Sequence, residues 1–198
     1  GLTRNYYVAL EEITRVLDPL PNENVFGLSL LLTRNRTLFV ADTAVHELPK
    51  PKQLADFAIQ AASVATRMGH EPRVALLSFS NFGNPMLERS QLTRDAVLIL
   101  DEREVSFEYD GEMSVDVALN SELLALYPFC RLSAPANILI MPGLHSSQIA
   151  TNLLHELGGG TVIGPLLQGL SKPAQIVPMG ASVSDIVNMA ALTAHEAR

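Results

Sequence analysis

Residues 54–68, LADFAIQAASVATRM, then Gly69, then residues 73–79, RVALLSF, carry the reading that decides the fold class. The first stretch is an alanine-rich helix pattern that a glycine closes. The second is a nearly continuous apolar run, as expected of a strand buried on both faces of an α/β sheet rather than one with a wet side. Upstream, residues 25–33 and 37–41 are two β-rich runs separated by the turn-like Arg34, Asn35 and Arg36, which predicts a β-hairpin. Before them, Tyr6, Ala9, Leu10, Ile13, Val16 and Leu17 recur at helical spacing until Asp18-Pro19.

Downstream the alternation repeats. Residues 88–101 predict a helix, 105–109 a strand, 121–127 a short helix and 137–141 another strand. Residues 146–157 predict a helix closed by Gly158, Gly159 and Gly160. Thr161, Val162 and Ile163 then form a strand leading into Gly164-Pro165, and Ile176 and Val177 are a candidate last short strand. The final helix spans residues 183–196, with Ser182 as its cap and Asp185 three residues on, a capping-box spacing that also sets a negative charge at the positive helix end. Strands alternating with helices imply a three-layer α/β domain with a largely parallel sheet.

With 198 residues, 47% of them apolar, the chain can bury a good core as one large domain or two small ones. Fourteen Lys and Arg against 21 Asp and Glu give a net charge of −7, which argues against a nucleic-acid surface. The single cysteine, Cys130, can form no internal disulfide and reads as a buried thiol in a cytoplasmic protein. No apolar run reaches the roughly 18–20 residues of a membrane span, and no signal pattern opens the chain. The first residues already read as an amphipathic helix with no start methionine, so the chain is expected to be part of something longer.

His46, His70, His145, His155 and His195 are scattered without metal-ligand spacing and read as surface or helix-end residues. His145-Ser146-Ser147 lacks the GxSxG context of a nucleophile, and neither GxGxxG nor a P-loop is present. Met141-Pro142-Gly143-Leu144-His145-Ser146 joins a buried strand to a helix start. It is either an anion site of free N–H groups or an ordinary capped loop. Asp185 divides the same way, between helix cap and catalytic acid or base. Asp110, Glu112 and Asp116 surround Gly111 after a strand and read as a solvated strand end, with cation binding as the alternative.

ADTAVHELP at 41–49, EPRVALLSFSNFG at 71–83, YDGEMSVDVAL at 109–119, ANILIMPGLHSSQIA at 136–150 and GGGTVIGPLLQGLSKPAQIVPMGASVSDIVN at 158–188 together resemble the phosphate acetyl/butyryl transferase family. The beginning, with LLLTRNRTLFVADTAVHELP, is most similar to the phosphotransacetylase-like C-terminal region of large bacterial NADP-dependent malic enzymes. The resemblance implies the three-layer phosphotransacetylase fold, related to isocitrate and isopropylmalate dehydrogenases, with two lobes around a cleft. Residues 18–164 would form one lobe, and residues 1–17 and 165–198 a remnant of the other, whose absence would leave apolar surface for a partner chain.

The resemblance also locates the departures. Where the family motif reads LSRG before DIVN, Pro178 and Met179 replace Ser-Arg, removing a hydroxyl and a guanidinium; Asp185 remains. A family arginine falls near Tyr7, its lysine after SFST falls at Phe82, and its Tyr-Lys pair falls at Thr151-Asn152. The expectation is a catalytically silent, acetyl-CoA-sensing and oligomerising domain. Its cleft would be lined by Met141, Pro142, Gly143, Ser146, Gly164, Pro165, Pro178, Met179, Gly180, Ala181 and Ser182. No cofactor or metal is expected in this chain; NADP and a divalent metal would belong to a malic enzyme part, and the partner would be a second copy. The alternatives are an active phosphate acyltransferase using Asp185 and a ligand-free dimerisation module.

Overall fold

The computed structural model describes residues 5–33, 35–158 and 160–196. In chain order the elements are α1 (Tyr6–Thr14), β1 (Phe26–Leu32), β2 (Thr37–Ala41), α2 (Pro51–Arg67), β3 (Arg73–Leu77), α3 (Glu88–Glu102), β4 (Glu108–Met113), α4 (Val115–Leu119), α5 (Ser121–Leu124), β5 (Ile138–Ile140), α6 (Leu144–Leu157), β6 (Thr161–Gln168) and α7 (Val183–Glu196). The six strands form one mixed sheet in the order β4-β3-β5-β2-β1-β6. The β4-β3, β3-β5 and β5-β2 ladders are parallel, while β1 runs antiparallel to both β2 and β6.

Strand pleating sorts the core into two halves. Leu28, Leu30, Val74, Leu76, Ile138 and Ile140 face α2 and α3, with Met189 of α7 joining them. Their neighbours Leu31, Ala75, Leu77 and Leu139 face the opposite way, onto Met113, Val117, Ala118, Leu124 and Leu132. This alternation, with period two, makes the continuous apolar runs those of strands covered on both faces. A smaller cluster of Leu10, Ala44, Leu167, Leu170 and Ile176 docks α1 beside the end of β6.

Helix α2 starts one turn earlier than the apolar periodicity suggests. Pro51 occupies its first turn, where a missing N–H is harmless, and the Lys50 N–H is taken by Gln53 Oε1 at 2.9 Å. Gly69 ends the helix at φ +83°.

Several sequence expectations are corrected. β4 begins three residues later than the expected strand at 105–109 and runs through Asp110-Gly111-Glu112. Those residues therefore lie inside the sheet, with Asp110 6% and Glu112 0% exposed, and are no solvated strand end. β6 does not stop at Ile163 but continues through Gly164 and Pro165 to Gln168, pairing with β1 on both sides of them. Ile176 and Val177 form no strand, and α4 was not expected at all. Arg34 of the expected turn and Gly159 of the glycine triplet lie outside the described residues. Among the described residues, no helix is long and apolar enough to cross a membrane.

Candidate functional site

A cleft of about 240 Å³ opens where β6, α6 and the approach to α7 meet. Its floor comes from a close strand approach. At Gly164 a Cβ would stand 3.0 Å from the Leu28 carbonyl and from Ser29, and φ is +133°, so only glycine fits there without displacement. The ladder register shifts between Leu28 and Leu30 opposite this point. Ser29, almost fully buried, shares a hydrogen bond of 2.9 Å with Thr43.

One wall is α6. Gln148, Thr151, Asn152 and His155 fall at helical spacing on the face that lines the cleft. Thr151 Oγ1 donates to the Ser147 carbonyl at 2.8 Å, and Gln148 Nε2 donates to the Thr43 carbonyl, tying the helix to the loop after β2.

The other wall is the segment into α7. Its course is set by Gln175, whose side-chain oxygen accepts from Leu167 N at 2.6 Å and whose nitrogen donates to Leu167 O at 3.1 Å. One side-chain amide thus satisfies both outward backbone groups of a strand residue, which is why no further strand is needed at Ile176. Pro178 O then accepts from Ala181 N at 3.1 Å, turning the chain into the helix.

At that turn Asp185 Oδ2 accepts from both Ser182 N and Ser182 Oγ at 2.8 Å, and Asp185 N donates to Ser182 Oγ at 3.2 Å. The capping box expected from sequence is formed. The Ser182 bonds hold the Asp185 carboxyl below the usual range, and charge on His155 adds in the same sense. At the far end of α7, burial pushes the Glu196 carboxyl up, while Gln168 Nε2 donates to it at 2.5 Å.

The structure brings together Gly164, Pro165, Pro178, Gly180, Ala181 and Asp185 around the cleft, but not the rest of the expected set. Met141 is buried core, Pro142 is exposed, and the Gly143 backbone lies against Glu47, whose carbonyl accepts from Leu144 N at 3.2 Å. Ser146 Oγ turns back onto Gly143 O at 2.7 Å. That segment therefore packs on the 42–49 loop and does not line the cleft. Met179 and Ser182 flank the cleft without lining it; Met179 is 70% exposed. Sequence reasoning noted Thr151 and Asn152 only as departures from the family pattern, and missed Ser29, Gln148 and His155 as lining residues. They left a signal: a serine inside the apolar run FGLSLLL, and polar residues recurring every three to four positions in a helix that had been recognised.

His46 is neither a surface nor a helix-end residue. Its Nδ1 lies 2.7 Å from Asp42 Oδ2 and its ring packs on Phe57. Asp42 is itself buried and accepts from the N–H groups of Gly27, Ala44, Val45 and His46. Glu112 Oε1 accepts from Ser80 Oγ, Gly83 N and Arg94 Nη1 at 2.7, 2.9 and 3.0 Å, so this acid clamps the loop after β3. Cys130 is only partly buried. No group of three or more metal-ligating side chains occurs among the described residues.

A six-stranded mixed sheet with apolar clusters on both of its faces, and a cleft against its β6 edge, defines an α/β domain. Residues 1–194 match the family described as Phosphate acetyl/butaryl transferase, and the chain belongs to that family. It is 57% identical, over its whole length, to an NADP-dependent malic enzyme of Rhizobium meliloti, and 36% identical over 81% of its length to a phosphate acetyltransferase of Clostridium acetobutylicum. It spans 26% of the first relative and 49% of the second. A solved phosphotransacetylase from Streptococcus pyogenes superposes with a TM-score of 0.92 at 28% identity, covering all of this chain and 61% of the other.

Proposed function

We propose that this chain is the regulatory, acetyl-CoA-binding and oligomerising part of a cytoplasmic NADP-dependent malic enzyme, and that it does not itself transfer acetyl groups to phosphate. The observation that carries this reading is the turn before α7. Pro178 and Met179 stand where the family motif has Ser-Arg, and the remaining motif acid, Asp185, is committed to capping Ser182. Each charged hydrogen bond lost at a transition state removes about 1.5–3 kcal/mol, so losing two or three leaves little acyl transfer.

A silent site can still bind. The cleft offers apolar atoms from Val162, Ile163, Val177 and Met189 for a pantetheine arm, and polar groups on α6 for its amides. Oxidative decarboxylation of malate, with its NADP and divalent metal, would belong to the rest of such an enzyme, and binding here would alter that activity through a second copy of the chain.

Calorimetric titration of acetyl-CoA into the full-length protein, with an acetyl-phosphate assay beside it, tests the reading. The expected result is saturable binding and no acetyl phosphate. Acetyl-phosphate formation would make the chain a working acyltransferase. No heat up to about millimolar ligand, where a site of roughly −4.1 kcal/mol fills, would leave only assembly.

A further inference from the structure

The chain between α5 and β5 runs past β4, the outermost strand at one side of the sheet, and is tied to it through side chains. Arg131 N donates to Asp110 Oδ2 at 2.8 Å, and Ser133 N and Oγ both donate to Glu108 Oε2 at 2.9 Å. Two residues forward on one segment meet two residues back on the other, which is the order of an antiparallel ladder. The acceptors, however, are the carboxylates of β4 and not its carbonyls. Among the described residues, no backbone–backbone hydrogen bond joins residues 128–135 to the sheet. The Arg131 guanidinium lies 4.6 Å over the Tyr109 ring and donates to Asp101 at 2.5 Å and to Asp110 at 3.4 Å. Arg131 and Asp101 are both partly exposed, so that pair contributes little, and the hold rests on the charge-assisted bonds to Asp110 and Glu108. Both ends of the segment are fixed by backbone: Tyr127 N donates to Leu124 O at 3.0 Å, and Ala136 N to Ala118 O at 2.8 Å. Between them Leu132 is the one buried residue, and a cavity of about 240 Å³ opens toward α5, with Leu124, Cys130, Leu132 and Ser133 in its wall.

We propose that residues 128–135 are a strap that lifts from β4 as a unit between its two fixed ends while the sheet stays folded, and that Glu108 is its latch. Lifting turns the wall of the cavity, and Cys130 with it, out to solvent. Such local opening belongs to segments held by few apolar contacts and by hydrogen bonds that lie near water. The strap thus sets when the Cys130 thiol can be reached. The device does not depend on acetyl-CoA binding.

Two measurements on the full-length protein test this: hydrogen exchange read by peptide mass spectrometry, and alkylation by N-ethylmaleimide read on the peptide that carries Cys130. In the wild type, amides of residues 128–135 should exchange at least about tenfold faster than those of the interior strand β3, yet more slowly than in denaturant. Glu108→Ala removes the acceptor of both Ser133 donors. Exchange of 128–135 and alkylation of Cys130 should then rise together by about tenfold or more, with exchange of β3 unchanged. Glu108→Gln keeps an acceptor oxygen and should restore most of the protection. Wild-type strap amides that exchange only as fast as those of β3 overturn the inference, because the segment then opens only with the whole fold, and this holds whether or not a variant folds. Strap amides as fast as in denaturant overturn it too, since nothing is then latched. A rise in Glu108→Ala that β3 shares equally, or no rise at all, also overturns it. So does faster exchange without faster alkylation, which parts the strap from the thiol.

Discussion

Glu112 has no solvent contact, and three donors converge on its Oε1 while its Oε2 has no partner. Such an acid is tolerated only because Arg94 faces it. Arg94→Met would strand the charge, and the expected loss is about 3 kcal/mol or more, read as a fall in the unfolding midpoint. Cys130 makes a second test. Burial pushes its thiol up to about 11, with Asp110 adding to the rise. At pH 8 alkylation in the native state should run roughly a hundredfold slower than in denaturant, where the ordinary thiol value returns. Near-equal rates would show that the 127–131 segment opens readily.

At the scale of the element, α7 tests the linkage between charge and stability, because its two ends respond to acid in opposite directions. Asp185 has a depressed carboxyl, so its contribution is present above the unfolded value of 3.8 and is lost as pH falls below it. Glu196 has a raised carboxyl, so its burial costs stability at neutral pH, and that cost fades as pH falls toward 4.5. Glu196→Gln should therefore stabilise the protein at pH 7 and have a shrinking effect toward pH 4.5. Ser182→Ala should cost roughly 1 kcal/mol at pH 7, in line with losing a helix cap, and amide exchange along α7 should rise with it. The span of α7 and its cap were legible from sequence because both depend on neighbours three to four residues away. The other cleft wall was not. Gln175 acts on Leu167 across a loop, and no local propensity announces a side chain standing in for a strand.

Across the whole molecule, legibility follows the same division. The α/β class, the two-faced strands and the order of helices are written in periodicity, so β2, β3 and α7 fall where the pattern put them. The extension of β6 through Gly164-Pro165 was hidden because glycine and proline are read as a stop. Only the opposing strand, with its shifted register at Leu28, shows why they continue. The burial of Asp110 and Glu112 was equally hidden, since carboxylates beside a glycine look like a turn until Arg94 and Arg131 are seen to meet them.

The Gln175 clasp also bears on how the protein behaves in a crowd. An outermost strand normally leaves a free row of N–H and C=O groups on which another chain can add, the first step of fibrous self-association. On β6 the Leu167 groups are both taken by Gln175, and Pro165 has no N–H to offer. Gln175→Leu would remove about 1–3 kcal/mol of satisfied polar burial and also expose that template, so fibril-specific dye uptake on prolonged warming should rise well beyond what the loss of stability alone produces. With that rise, the amide that steers one wall of the cleft would also guard a sheet edge against strand addition.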